Sequence, residues 1–376
     1  MMQPYFQVTP SAPAFTLAWD ELRRAFSWLR ALDDCPQDAV HHAEGDVGIH
    51  TRLVCEWLCQ SAEWRSLDES GQRVTFWAAL LHDVAKPATT RTEDDGRITA
   101  RGHSRRGEIM ARNLLYGLNA PFAEREQITA IIHSHQFPFF LIERTDAQRK
   151  LYEISQTAHC GYLALVAEAD MRGRICQDQQ RLLDNIELFR EMARNADCFT
   201  QPYQFPSAHS RFLYFRKPER DATYHAFDDT VCQAVLMCGL PGAGKSTWAQ
   251  VNLPDWPQVC LDDIRQELGV SPADNQGTVM QTARERTREF LRRRQNFVWN
   301  ATSLLRLHRD QIIDIFAAYN ARTRIVYIEV PETLLFQQNA NREKVVPAAV
   351  IRAMMDKWEM PDATEVHQID YQIGVK

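Results

Sequence analysis

The chain has 376 residues, 45% of them hydrophobic and 24% charged. That length is large for one core, so two domains are expected, and the composition is that of a chain that folds over most of its length. A formal net charge of −6 excludes a protein coated in basic surface, so any polyanion must be held by local clusters.

The stretch through Arg30 is broken by Pro4, Pro10 and Pro13 and carries Asp20, Glu21, Arg23 and Arg24, which is neither a secretory signal nor a transit pattern. No apolar run approaches a membrane span, so a cytoplasmic chain with no membrane partner is expected. Nine cysteines, an odd number with no CxxC pair, indicate neither a disulfide framework nor a zinc ribbon.

From Phe15 to about Asn195 the apolar residues recur at helical spacing. Ile49, Leu53, Val54, Trp57 and Leu58 do so in "GIHTRLVCEWLCQSAEW", and "RVTFWAALLHDVA" repeats the pattern. An all-α domain over residues 1–197 is expected. Seven of the twelve histidines lie between His41 and His135. His50, the pair His82-Asp83, His103, His135 and Asp170 each fall on an expected helix or at its end. Imidazoles and carboxylates projecting from several helices can meet in a bundle core and bind a transition metal (Mn, Fe, Co, Ni, Cu or Zn). A lone histidine is more often a satisfied core or surface residue; the ordered set carries the weight. His133 competes with His135, but a helix turns the two about 200° apart. His41 and His42 are outside candidates for the cluster, with a surface position the favoured reading. Lys86, Arg172 and Arg174 are candidates to neutralise a substrate phosphate, with an exposed cation the equal alternative.

Residues 198–229 are rich in Pro and aromatics without a clear period, and read as an ordered connector packed between domains. From residue 230 short apolar strands ("VCQAVLMCG", "QVCLDD", "QNFVWNATS", "RTRIVYIEV") alternate with helices, which means a parallel α/β domain over residues 230–376. "GLPGAGKS" fits G-x-x-x-x-G-K-[ST] through Gly239, Gly244, Lys245 and Ser246. Gly242, Ala243 and Thr247 complete the loop that would cradle ATP with Mg²⁺. In "LDDIR", Asp262 can take a proton from an attacking hydroxyl and Arg265 can hold an acceptor phosphate, although a helix cap and a solvated arginine fit the spacing equally. The arginines of "RERTREFLRRRQNF" (Arg284, Arg286, Arg288, Arg292, Arg293 and Arg294) read as a salt-bridged solvated helix or, less readily, as the wall of a polynucleotide groove.

Two resemblances sharpen this. "EGDVGIHTRLV", "LLHDVAKP", "RGHSRRGEIMA", "IIHSHQFP" and "EADMRGR" resemble the HD phosphohydrolase superfamily, in particular the HD domain appended to tRNA nucleotidyltransferases. That resemblance implies His50, His82, Asp83, His103, His135 and Asp170 as ligands of one or two metals, with Asp83 bridging. "GLPGAGKSTWAQ", "LDDIRQ", "NATSL" and "NREKVVPAAVIRAM" are similar, over about 145 residues, to phage-type 5′-polynucleotide kinases. This implies Asp262 as general base, Arg265 on the acceptor phosphate and Arg342 as a lid clamp on ATP. A second lid arginine of that family falls here on Gln338.

The whole arrangement resembles the bacterial HD-Pnk family of end-healing enzymes, a multidomain α and α/β architecture. It implies removal of 2′,3′-cyclic and terminal phosphates by the first domain and phosphorylation of 5′-hydroxyls by the second. RNA ends, with DNA ends left open, and a downstream RNA ligase are the partners implied. The alternatives are an HD nucleotide hydrolase fused to a small-molecule kinase, and an ATP-gated HD hydrolase.

Overall fold

The computed structural model describes residues 4–374. Two compact units divide between Gln204 and Phe205, inside the stretch read as a connector. Each part of that stretch is docked on its own unit. Tyr203 stacks on Tyr152 at 3.7 Å and its N–H donates to Ser155 Oγ at 3.1 Å. Residues Ala208–Arg216 form a helix, and Arg211 donates to the carbonyls of Ala363 and His367 at 2.9 Å each.

The first unit is a helical bundle. Its central helix, Glu69–Leu81, is buried at every position from Val74 to Leu81, as suits a helix enclosed by others. Asp68 starts it by accepting the Gly71 N–H at 2.7 Å, and Asp46 starts helix Val47–Gln60 by accepting from Ile49 at 2.8 Å. Around them pack His103–Gly117, Phe122–Ser134, Cys160–Arg172 and Gln179–Asn195. Gly173 lets the end of Cys160–Arg172 close on Val47–Gln60, since a Cβ there would sit 2.7 Å from the Val54 nitrogen. A small hairpin, β1 (Arg91–Thr92) and β2 (Ile98–Thr99), interrupts the helices.

The second unit carries β3 (Cys232–Cys238), β4 (Gln258–Cys260), β5 (Phe297–Asn300), β6 (Ala321–Glu329) and β7 (Gln368–Ile373). All pair in parallel, in the order β4-β5-β3-β6-β7. The first four are the strands expected from the sequence; β7 is an addition. Residues Ala234–Cys238 and Phe297–Trp299 are almost solvent-free, so the sheet is covered on both faces. The carboxyl ends of β3, β4 and β5 carry the phosphate loop, Asp262 and Asn300. That is the edge at which open α/β sheets bind ligands.

Candidate functional site

In the first unit the fold brings all six expected residues into one buried cluster. His50 lies one turn into Val47–Gln60, His82 and Asp83 follow Leu81, and His103 opens its own helix. His135 follows Ser134, and Asp170 sits in the last turn of Cys160–Arg172. The Nε2 atoms of His82 and His50 are 3.3 Å apart, as are those of His103 and His135. Asp170 Oδ1 is 3.1 Å from His50 Nε2, and Asp83 Oδ2 is 3.1 Å from His82 Nε2.

The opposite ring nitrogens are committed elsewhere. Nδ1 of His82, His103 and His135 meets the carbonyl of Ala79, Ala100 and Ile132 at 2.7, 2.8 and 2.7 Å. With Nδ1 as the donor, a neutral imidazole turns a bare Nε2 lone pair inward. His103 and His135 face each other so at 3.3 Å, His82 faces the Nε2 of His50 at the same distance, and Asp83 Oδ1 and His50 Nδ1 are buried without a hydrogen bond. A cation would satisfy these groups together, so the donor set fits a metal. The atoms fall into two triads, His50–His82–Asp170 and Asp83–His103–His135, each within ligand reach of one point.

Charge compensation is arranged around the cluster. Burial would raise the Asp83 carboxyl, but His82 and Lys86 hold it well below the carboxylate range. Burial would likewise raise Asp170, and Arg174, donating to both its oxygens at 2.8 and 3.0 Å, outweighs that. Burial and the neighbouring imidazoles push His135 down to about 3.

Several residues stand differently from their sequence expectation. Lys86 is buried, and Arg174 is largely so, rather than being exposed cations. Arg172 is exposed and paired with Glu168 at 3.5 Å. His133 is outside the cluster, 42% exposed and 2.9 Å from Glu108. His42 is corrected from surface to a nearly enclosed position: its side chain is 10% exposed, with Nδ1 2.8 Å from Glu44 Oε1. Its partner Glu44 was missed altogether. Both precede the helix in a turn, where no periodicity marks an inward-facing residue.

In the second unit the loop Gly239–Gly244 leads from β3 into helix Lys245–Asn252. Gly239 has φ 142° and a Cβ there would meet the Ile328 carbonyl oxygen at 2.4 Å, so only glycine fits. Gly244 has φ 98° with open space around it, so there the backbone angle and not crowding calls for glycine. Lys245 Nζ donates to the carbonyls of Gly239 and Leu240 at 2.9 Å each. Burial pushes its ammonium down to about 8, with the nearby Arg342 guanidinium adding to the effect.

Ser246 Oγ lies 3.1 Å from the Asn300 amide, which also donates to Gln258 Oε1 at 3.2 Å. Asp262 is exposed just past β4, and its Oδ1 accepts from Arg265 at 2.5 Å; Arg265 Nε donates to Gln276 at 2.7 Å. Gln338 keeps a buried Oε1 without a hydrogen bond. Asn300, the first residue of "NATSL", is not singled out by the sequence and becomes visible only through this contact. Of the arginine cluster, Arg286 pairs with Glu267 and Arg288 with Glu285, while Arg292, Arg293 and Arg294 are exposed before β5, at the end of that strand away from the loop.

Comparison with known proteins matches both units. Residues 47–166 match the HD domain family and residues 235–361 the AAA domain family AAA_33. A "Multifunctional CCA protein" of Xanthomonas oryzae pv. oryzae is 30% identical over 183 residues, 46% of this chain and 40% of that protein. The chain thus spans about two fifths of the length of the curated relatives it matches. Among solved structures, a putative kinase from Chloroflexus aurantiacus aligns over 39% of this chain and 86% of its own, at 11% identity and a TM-score of 0.33. A gluconokinase from Sinorhizobium meliloti covers 39% and 85%, at 16% identity and a TM-score of 0.30. No helix among the described residues is long and apolar enough to cross a membrane. The chain joins a helical domain that matches the HD domain family, with a His/Asp cluster able to hold a metal, to a parallel α/β domain that matches AAA_33 and carries a phosphate loop.

Proposed function

We propose that this chain heals broken nucleic-acid ends, RNA ends foremost. Its HD unit hydrolyses 2′,3′-cyclic phosphate and terminal 2′- or 3′-phosphate, and its P-loop unit phosphorylates the 5′-hydroxyl. The two products, a 3′-hydroxyl and a 5′-phosphate, are the pair a ligase joins. The observation that carries the reading is the Asp262–Arg265 pair beyond the carboxyl end of β4, beside a complete phosphate loop and in the same chain as a phosphohydrolase-type cluster.

In the kinase unit the acceptor O–H loses its proton to Asp262 as the oxygen attacks the γ-phosphorus. The β,γ-bridging P–O bond breaks and ADP leaves. Lys245 exchanges the two loop carbonyls for phosphate oxygens, Arg342 adds charge from the lid, and Arg265 turns from Asp262 to the acceptor's phosphate. Ser246 would hold the Mg²⁺.

In the HD unit His50, His82, Asp83, His103, His135 and Asp170 would hold one or two transition-metal ions. When bound, the metal supplies Lewis acidity and a water of lowered pKa. The chain presents four oriented imidazoles, excludes bulk water from the cluster and keeps both aspartates ionised through Lys86 and Arg174. Hydrolysis of the cyclic ester breaks one P–O bond to the 2′ or 3′ oxygen, and hydrolysis of the resulting monoester releases phosphate.

The test is incubation with ATP, Mg²⁺, a transition metal and oligonucleotides of defined RNA or DNA ends, reading both termini. ATP-dependent labelling of nucleosides or sugars but no oligonucleotide would establish the small-molecule kinase instead. ATP turnover without an acceptor, coupled to HD activity, would establish the gated hydrolase.

A further inference from the structure

One carboxylate outside the six-residue cluster reaches a cluster imidazole from behind. Glu44, in the turn before helix Val47–Gln60, places Oε1 2.9 Å from His50 Nδ1 and 2.8 Å from His42 Nδ1. Its Oε2 accepts the Ile175 N–H at 2.8 Å, and its side chain is 1% exposed. The neighbour of Ile175 is Arg174, which holds Asp170. Glu44 therefore joins the His50 helix to the loop that steadies a second cluster residue.

His50 needs such a partner because of its place in the chain. His82, His103 and His135 stand at helix ends and turn Nδ1 to the carbonyl three residues earlier. For His50 that carbonyl belongs to Val47, inside the helix ladder, and the Thr51 hydroxyl already donates to it at 2.7 Å. Among the described residues His50 Nδ1 has no hydrogen-bond partner. The Glu44 carboxylate stands 2.9 Å from Nδ1 without an aligned hydrogen bond, and the same oxygen meets His42 Nδ1 at 2.8 Å.

We propose that Glu44 is the positioning residue for His50: it holds Nδ1–H and presents Nε2, as a strengthened donor, to a metal shared with His82 and Asp170. This rests on reading the cluster as a metal site. A carboxylate behind a ligating imidazole fixes the ring and raises its basicity, and losing such a partner costs about 10–100-fold in metal affinity. The competing role is purely architectural, a tie between the turn and the Ile175 loop.

The experiment strips the full-length protein of metal and titrates Co²⁺ into wild type, Glu44→Ala, Glu44→Gln and His82→Ala. Affinity is read by chelator competition and ligand field by the visible spectrum, with thermal unfolding of each stripped protein alongside. The expected order of affinity is wild type, Gln, then Ala. Ala should be about 10–100-fold weaker with a shifted spectrum, and Gln, which keeps one acceptor oxygen, should recover part of the loss. Equal affinity and spectrum in wild type and Glu44→Ala overturns the proposal. So does a Glu44→Gln protein as weak as Ala whose stripped form unfolds at the wild-type temperature. If Glu44→Ala does not fold, Glu44→Gln decides alone: weaker binding with a changed spectrum supports the role, and wild-type behaviour overturns it. A wild type that takes up no Co²⁺, or a His82→Ala protein that binds it as wild type does, overturns the metal-site reading and the Glu44 role with it.

Discussion

Lys86 reaches back one helical turn to Asp83, with Nζ 2.7 Å from Oδ2, and its other side meets Gln37 Oε1 at 2.7 Å. From the sequence this lysine reads either as a cation for a substrate phosphate or, equally, as an exposed cation. Its burial gives it a prior task, which is to balance a carboxylate in the interior of the bundle. A metal in the cluster would share that task.

Lys86→Met should therefore destabilise the metal-stripped protein more than the metal-loaded one. Removing one partner of a buried ion pair costs about 3–5 kcal/mol when nothing else compensates the charge left behind. With a metal beside Asp83 the loss should shrink by at least half. Denaturant unfolding with chelator and with added Mn²⁺ or Co²⁺ measures both losses. Equal losses in the two conditions would mean that no metal stands next to Asp83.

On the proposed function, Asp262→Ala is expected to lower kcat for 5′-phosphorylation by about 10²–10⁴ with ATP affinity near wild type, since in that role the carboxylate would contact the acceptor and not the nucleotide. Lys245→Ala should also stop transfer, and it should leave phosphoesterase turnover intact if the units act separately. Near-normal kinase turnover in Asp262→Ala would remove Asp262 from the base role. Loss of phosphoesterase activity in a folded Lys245→Ala protein would favour the ATP-gated hydrolase.

The sequence shows these sites unevenly, for physical reasons. The phosphate loop is legible because backbone geometry demands glycine at Gly239 and Gly244. The strands leading to the phosphate loop and Asp262 are legible because buried parallel strands are apolar throughout. β7 is not, since "QIDYQI" is an edge strand with exposed or half-buried side chains and no strong apolar run. Helix Ala208–Arg216 hides because His209, Ser210, Phe212 and Tyr214 are the residues it buries, a mixed set with no apolar stripe. The six cluster residues announce themselves by type and order. Glu44 and Asn300 do not, because each matters only through a neighbour brought to it by folding.

His82→Ala or Asp83→Ala should abolish removal of cyclic and terminal phosphates and spare the kinase. His135→Ala should lose metal and His133→Ala should keep it, since only His135 faces the cluster. Mixed imidazole and carboxylate ligation favours a transition metal over Mg²⁺. Chelation followed by Mg²⁺ alone should restore the kinase only. Metal content of each purified variant, by mass spectrometry, checks the ligands independently of turnover. Full occupancy in His82→Ala would contradict the metal centre.

Glu108 provides a pH prediction outside the metal cluster. Its Oε1 accepts from Arg112 at 2.8 Å, and its Oε2 lies 2.9 Å from His133 Nδ1. Burial alone would raise its pKa, but Arg112 and His133 overcome this and bring it down to about 2, from an ordinary value of 4.5. A carboxyl depressed in the folded state stabilises the fold above its unfolded pKa and loses that contribution as pH falls towards the folded value. The window is thus roughly pH 4.5 down to pH 2, and the contribution is about 3 kcal/mol at most. Glu108→Gln should be less stable than wild type at pH 6, and the gap should narrow progressively as pH falls from about 4.5 towards 2. Denaturant-dependent hydrogen exchange in helix Phe122–Ser134 reads the first unit alone. A gap that stays constant from pH 6 to pH 3 would show that Glu108 titrates in the fold much as it does in the unfolded chain, and the ion pair would then contribute nothing that depends on acid.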